Sequence, residues 1–219
     1  MYLVKNGDSR SLPKEQLEYF SIDSCVLGLI KKAVDKDNDL SIRHEAFGNV
    51  YVLASKGLFF GVIKREEEFY TAPQNQFRTS SLSSAEVQAI LGNSANCRPV
   101  EDLLWQSAHF ASRGRLLEGY CQSIDVIELD HWPNLTRLTS TPNAVSMAAL
   151  LNRHPSSLKL AARMLNISAS EMATFYSAAR ASGIARPINR KDEVQEPKEV
   201  TPHRNRGLLA KLFAKASSL

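Results

Sequence analysis

Three groups of side chains in this 219-residue chain have the types that chemistry needs. The first is the potential metal ligands: Cys25, Cys97 and Cys121 with His44, His109, His131, His154 and His203. Zinc sites need short, paired ligand spacings, and these residues show none: there is no C-x-x-C, and the gaps from Cys97 to His109 to Cys121 match no zinc pattern. The second is the acidic cluster Asp125, Glu128 and Asp130, two of which would share one face of a strand. No base or metal partner accompanies them, so they are expected on a solvated edge. With no G-x-S-x-G, P-loop or G-x-G-x-x-G in the chain, the expectation is a non-enzymatic protein: no catalytic residue, no metal, no cofactor. The third group is basic. Arg153, Lys159, Arg163, Arg180, Arg186 and Arg190 face Glu171 alone across residues 139–190. Cations clustered in this way are suited to phosphate contacts, which position a nucleic acid without reading its sequence.

The elements that must position these cations are helical. Thr141-Pro142 is a helix-start pair, and Val145, Met147 or Ala148, and Leu151 supply its apolar stripe up to His154-Pro155. A second helix from Ser156 or Ser157 buries Leu158, Ala161, Ala162 and Leu165. Asn166 stands where a left-handed residue is needed, and Ile167 plugs the turn. Ser168-Ala-Ser-Glu171 is a capping box opening a third helix, whose apolar face is Met172, Phe175, Tyr176 and Ala179. Gly183 ends it and Ile184 returns the chain to the core.

This three-helix order, with ARMLNIS at the turn and ARASGI at the exit, resembles the winged-helix branch of the helix-turn-helix superfamily over about residues 141–190. After Ile184 the chain departs from that pattern: Ala185–Arg190 is short for a two-stranded wing, and Pro187 cannot donate to a ladder. The resemblance implies a recognition-helix face made of Ala169, Ser170, Ala173, Thr174 and Ser177. None of these is an Arg, Lys, Asn or Gln able to contact a base edge in bidentate fashion. The charge therefore favours nucleic acid while the reading face favours a protein-interaction role.

Ahead of this module, residues 1–138 are expected to form a mixed domain. Tyr2–Val4 is read as a short strand, Ser11 as the cap of a helix, and Asp23–Val34 as an amphipathic helix burying Val26, Leu27, Ile30 and Val34. From Leu40 the segments LSIRH, NVYVLA and GLFFGVIK, separated by Gly48-Asn49 and Ser55-Lys56-Gly57, predict an antiparallel meander. Glu68–Thr71 and Gln76–Thr79 are read as further strands, with Glu66-Glu67-Glu68 as a solvated turn. A capping box at Ser83–Glu86 starts one helix, and Pro99–Ser112 forms another that buries Val100, Leu103, Leu104, Ala108 and Ala111. Asp125–Leu129 is read as a strand, followed by a connector pinned by Trp132 and Leu135.

The fold class is thus α+β: helices with a small antiparallel sheet over 1–138, a mainly helical winged-helix-like module over 139–188, and a flexible tail. Within that tail, 189–204 is a charged, proline-punctuated linker and 205–219 a basic amphipathic helix. Leu208, Leu209, Leu212 and Phe213, flanked by Lys211 and Lys215, suit a groove on a partner or an anionic membrane. No secretory signal is visible, and the scattered cysteines fit a reducing cytoplasm, with membrane association through the tail as an addition. The leading expectation is a regulatory or adaptor protein that docks a protein partner. The alternatives are a DNA-binding transcriptional regulator, with the front domain sensing or forming a homodimer, and a peripheral membrane protein.

Overall fold

A computed structural model describes residues 17–93 and 96–190. The expected strand at Tyr2–Val4, the Ser11 cap and the whole 205–219 tail lie outside the described residues, as does most of the linker.

The chain enters through a two-residue strand, β1 (Tyr19–Phe20), and a 3₁₀ turn over Ile22–Ser24 that the Ser21 hydroxyl caps. Helix α1 (Val26–Asp35) follows, burying Val26, Leu27, Ile30 and Ala33, while Val34 is only partly covered. Three strands then run as an antiparallel meander: β2 (Leu40–His44), β3 (Gly48–Leu53) and β4 (Leu58–Ile63). Gly48 has φ +127°, and a Cβ there would lie 2.2 Å from the Val62 carbonyl oxygen, so only glycine fits this turn.

Next comes α2 (Glu66–Thr71), where the sequence reading placed a turn and a strand. In the structure the Phe69 and Tyr70 rings are both buried from one helical turn, and Glu66, Glu67 and Glu68 sit in the first turn, where the helix dipole favours acids. Strand β5 (Arg78–Ser81) lies two residues beyond the expected Gln76–Thr79 and pairs with β2. Helix α3 (Ser84–Asn93) opens on the expected capping box: the Ser83 amide donates to Glu86 Oε2 at 2.8 Å, and the Glu86 amide to Ser83 Oγ at 3.3 Å. Strand β6 (Arg98–Pro99) completes a five-stranded sheet in the order β5-β2-β3-β4-β6.

Helix α4 (Val100–Ser112) is the centre of the molecule. It packs against α1 and α2, which sit with it on the inner sheet face built from Ile42, Val50, Val52 and Phe59. Gly114, at φ +85°, turns the chain into β7 (Leu116–Leu117), which pairs in parallel with β1.

The second half runs β8 (Val126–Leu129), α5 (Ala144–Arg153), β9 (Ser156–Ser157), α6 (Leu158–Leu165), α7 (Ala169–Ala181) and β10 (Ala185–Pro187). Strands β10, β8 and β9 form a small antiparallel sheet with β8 in the middle. Pro187 sits on the edge strand β10, where a missing N–H is tolerated. In the connector before α5, Trp132 is 48% exposed, so the expected anchor is instead Leu138, buried, with Leu135 half-buried. Asn143, rather than Thr141, is the cap of α5, and Val145 points outward.

The described residues up to Asn189 share one core. The 138/139 boundary drawn from the sequence is crossed by Trp105, whose Nε1–H donates to the Thr139 carbonyl at 2.9 Å and whose indole meets the Phe175 ring edge-on at 5.5 Å.

Candidate docking surface

Helix α7 is where a reading helix was expected, and the structure makes it a core helix. Ser168 caps it as anticipated, accepting from the Glu171 amide at 3.0 Å. Glu171 does not reach back to complete the box. Its carboxylate instead accepts from the Asn143 backbone N–H at 3.1 Å and the Asn143 Nδ2 at 3.0 Å, fastening the start of α7 to the start of α5.

Beyond that first turn α7 is covered on every side. Met172, Phe175, Tyr176 and Ala179 are buried as expected, but so are Ala173, Thr174 and Ser177. Ala169 and Ser170 are half-buried, and a Cβ on Gly114 would lie 2.1 Å from Ser170 Oγ. The Gly114 amide donates to Thr174 Oγ1 at 3.0 Å. Ser177 Oγ accepts from the Leu117 amide at 3.1 Å and donates to the Arg115 carbonyl at 3.1 Å. The expected recognition face is therefore a packing face, filled by the end of α4 and the turn into β7. Its Ala, Ser and Thr are small because another helix lies against them.

The basic residues divide in two. Arg186 is committed: its Nη2 pairs with Glu128 at 2.7 Å and its Nε with Asp130 at 3.0 Å across the β10–β8 pair. This also answers the acidic cluster. Glu128 and Asp130 hold Arg186, while Asp125 is fully buried and accepts from the Tyr176 hydroxyl at 2.6 Å and the Gln122 amide at 2.8 Å. Arg180 is partly buried and donates from Nη1 to the Ala185 carbonyl at 3.4 Å. Arg190 has a partner of its own. Arg153, Lys159 and Arg163, in contrast, are exposed and pair with no carboxylate among the described residues.

Two of these three cations stand on α6, the most strongly two-faced of the helices. Ser157 caps it by accepting from the Leu160 amide, and Asn166 ends it at φ +52°. Leu158, Ala161 and Ala162 point inward, with Leu165 and Ile167 packed half-buried on the core. The outward side carries Leu160 and Met164, one turn apart, at 47% and 57% exposure. Beside them run Lys159 and Arg163, also one turn apart. Leu160 and Met164 did not figure among the residues expected to act. Counting 100° per residue around α6 places both off the buried stripe, which is the signal that finds them.

Burial acts on several ionisable groups away from this surface. It raises the Cys121 thiol from 9.0 to about 12 and also raises the Cys25 thiol. It lowers His109, whose Nδ1 is buried without a hydrogen bond. Among the described residues no helix is long and apolar enough to cross a membrane. Comparison with protein-family models, with curated proteins and with solved structures finds no match to this chain.

Proposed function

We propose that the chain is a non-enzymatic regulatory or adaptor protein of the cytoplasm, and that its α5–α7 half is a winged-helix-like module that docks a protein partner. The observation carrying this reading is the outer face of α6. Two large apolar side chains, Leu160 and Met164, stand exposed beside Lys159 and Arg163, which pair with no carboxylate among the described residues. An exposed apolar row bordered by charge suits a protein interface, and the charge selects an acidic partner. The 205–219 segment, with Leu208, Leu209, Leu212 and Phe213 flanked by Lys211 and Lys215, would add a second contact of the same kind. The order helix, short strand, helix, helix, strand supports the winged-helix reading. The burial of Ala173, Thr174 and Ser177 favours docking over base recognition.

The test compares the full chain, Leu160→Ser/Met164→Ser, Lys159→Glu/Arg163→Glu and a chain lacking 207–219. Each is used to capture partners from a lysate of the source cell and is run against a random DNA duplex in a salt-dependent gel shift. The proposal expects one acidic protein retained by the parent and lost from both α6 variants, with no duplex shift at physiological salt. A duplex shift abolished by the charge reversal alone would transfer the surface to DNA. Retention of every captured protein by both α6 variants would refute the assignment.

A further inference from the structure

The five-stranded sheet has a second face, turned away from α1, α2 and α4, and α3 covers only part of it. Because directly paired strand residues share a face, its rows follow from the register. One row runs Ser80, Ser41, Tyr51, Phe60, and the next runs Arg78, Arg43, Asn49, Val62. Tyr51 and Phe60 are half-exposed, with ring centroids 6.2 Å apart and planes within 15° of parallel, a stacked aromatic platform. Leu82, Glu86, Ala89 and Ile90, on or next to α3, wall it in, and with Arg43 they bound a groove of about 380 Å³.

The arginines beside the platform are the second observation. Arg43 and Arg78 stand directly opposite one another in the β2–β5 pair. Like charges at such a position destabilise a sheet. Glu45 offsets Arg78 at 2.8 Å, but Arg43 pairs with no carboxylate among the described residues. In the adjacent row Ser41 Oγ is buried with no hydrogen-bond partner. A negative group bound here would pair with Arg43. Glu86 is held by Ser83, whose amide and hydroxyl both donate to Oε2, leaving Oε1 able to accept from an N–H.

We propose that this groove binds a nucleobase together with its phosphate, the base stacked against the Tyr51–Phe60 pair, the phosphate on Arg43. Aromatic stacking accepts any base, and arginine forks match phosphate oxygens. The volume lies at the small end of ligand sites, which suits one nucleotide at a time, either free or as one unit of a single strand. This site is separate from the α6 surface and does not depend on it.

Calorimetric titration of the full chain with adenosine monophosphate, adenosine and hexa-adenylate RNA tests the proposal. Arg43→Gln should weaken the monophosphate by roughly tenfold, the scale of one charge-assisted hydrogen bond, and leave adenosine unchanged. Phe60→Ala should weaken all three ligands by roughly tenfold through lost stacking. Ala89→Trp, at an exposed wall position, fills the groove without removing a contact and should abolish binding. Tighter hexanucleotide than monophosphate identifies a single strand as the source, and equal affinities identify a free nucleotide; both support the site. Circular dichroism confirms the fold of each variant. Absence of binding by both phosphate ligands at millimolar concentration, or binding indifferent to Arg43→Gln and Ala89→Trp, overturns it.

Discussion

Replacing Ser177 by alanine tests whether α7 is a core helix or a reading helix. In the structure the Ser177 hydroxyl does two things inside a fully buried site: it accepts from the Leu117 amide and donates to the Arg115 carbonyl. Alanine fills nearly the same space, so the cavity term is small. The Arg115 carbonyl keeps a donor, because Ser112 Oγ reaches it at 2.6 Å. The Leu117 amide keeps nothing: β7 pairs with β1 through the amides of Leu116 and Glu118, and that of Leu117 points the other way. One buried donor left unsatisfied costs about 1–3 kcal/mol, and about 2 kcal/mol is the central expectation. At this chain length that lowers the melting temperature by roughly 4–8 °C. Guanidinium unfolding followed by circular dichroism should show the midpoint fall with the slope unchanged. On a helix whose Ser177 faced solvent the same change would stay within about 0.5 kcal/mol. A result that small would refute the burial of this face and reopen α7 to DNA.

Thr174→Val should cost about 1–2 kcal/mol by removing the acceptor of the Gly114 amide, and a double-mutant cycle with Ser177→Ala should show coupling because both serve the same turn. Asn166→Ala should cost about 1 kcal/mol in thermal unfolding, since its φ of +52° is a conformation alanine resists. Cys121 should resist a thiol reagent at pH 8 in the native chain and react once denaturant is added. Its folded thiol, raised to about 12 by burial, makes a contribution to stability that is complete below 9.0 and is lost as pH rises towards 12. Arg186→Gln should lower the melting temperature at low salt and leave it unchanged at high salt, because its pairs with Glu128 and Asp130 lie at an exposed strand edge.

The sequence is informative where a pattern has one cheap solution. β2, β3 and β4 follow from alternation punctuated by glycine, and the ends of α6 follow from Ser157 and Asn166, whose side chain and backbone preferences are local. It is uninformative where distant residues decide. Glu171 matches a capping box, yet Asn143, 28 positions away, offers its carboxylate two donors. Phe69-Tyr70 suits a strand by composition, and only packing beside Phe77 and Phe110 shows that a helical turn buries both rings. Two-residue strands such as β6, β7 and β9 have no period to detect. Of the six basic residues, sequence cannot separate Arg186, neutralised across a strand pair, from Lys159 and Arg163, which pair with no carboxylate among the described residues.

The composition of α7 and its burial are one fact seen twice. A helix that reads bases must carry long polar side chains outward, and a helix that lies closely against another must carry short ones inward. Ala173, Thr174 and Ser177 meet the second demand, as do Ala108, Ala111 and Ser112 on α4. Gly114 meets it too, since a side chain there would collide with Ser170. The hydroxyls among these residues are not available to a ligand, because each is spent on the backbone that turns from α4 into β7. Helix α6 is built to the opposite rule. Its small residues, Ala161 and Ala162, face the core with Leu158 and Leu165, and Lys159, Leu160, Arg163 and Met164 face out. Within the α5–α7 half, the helix that looks like a scaffold by order is thus the one that turns long side chains outward, as the proposed docking requires, and the helix that looks like a reader is packed into the core.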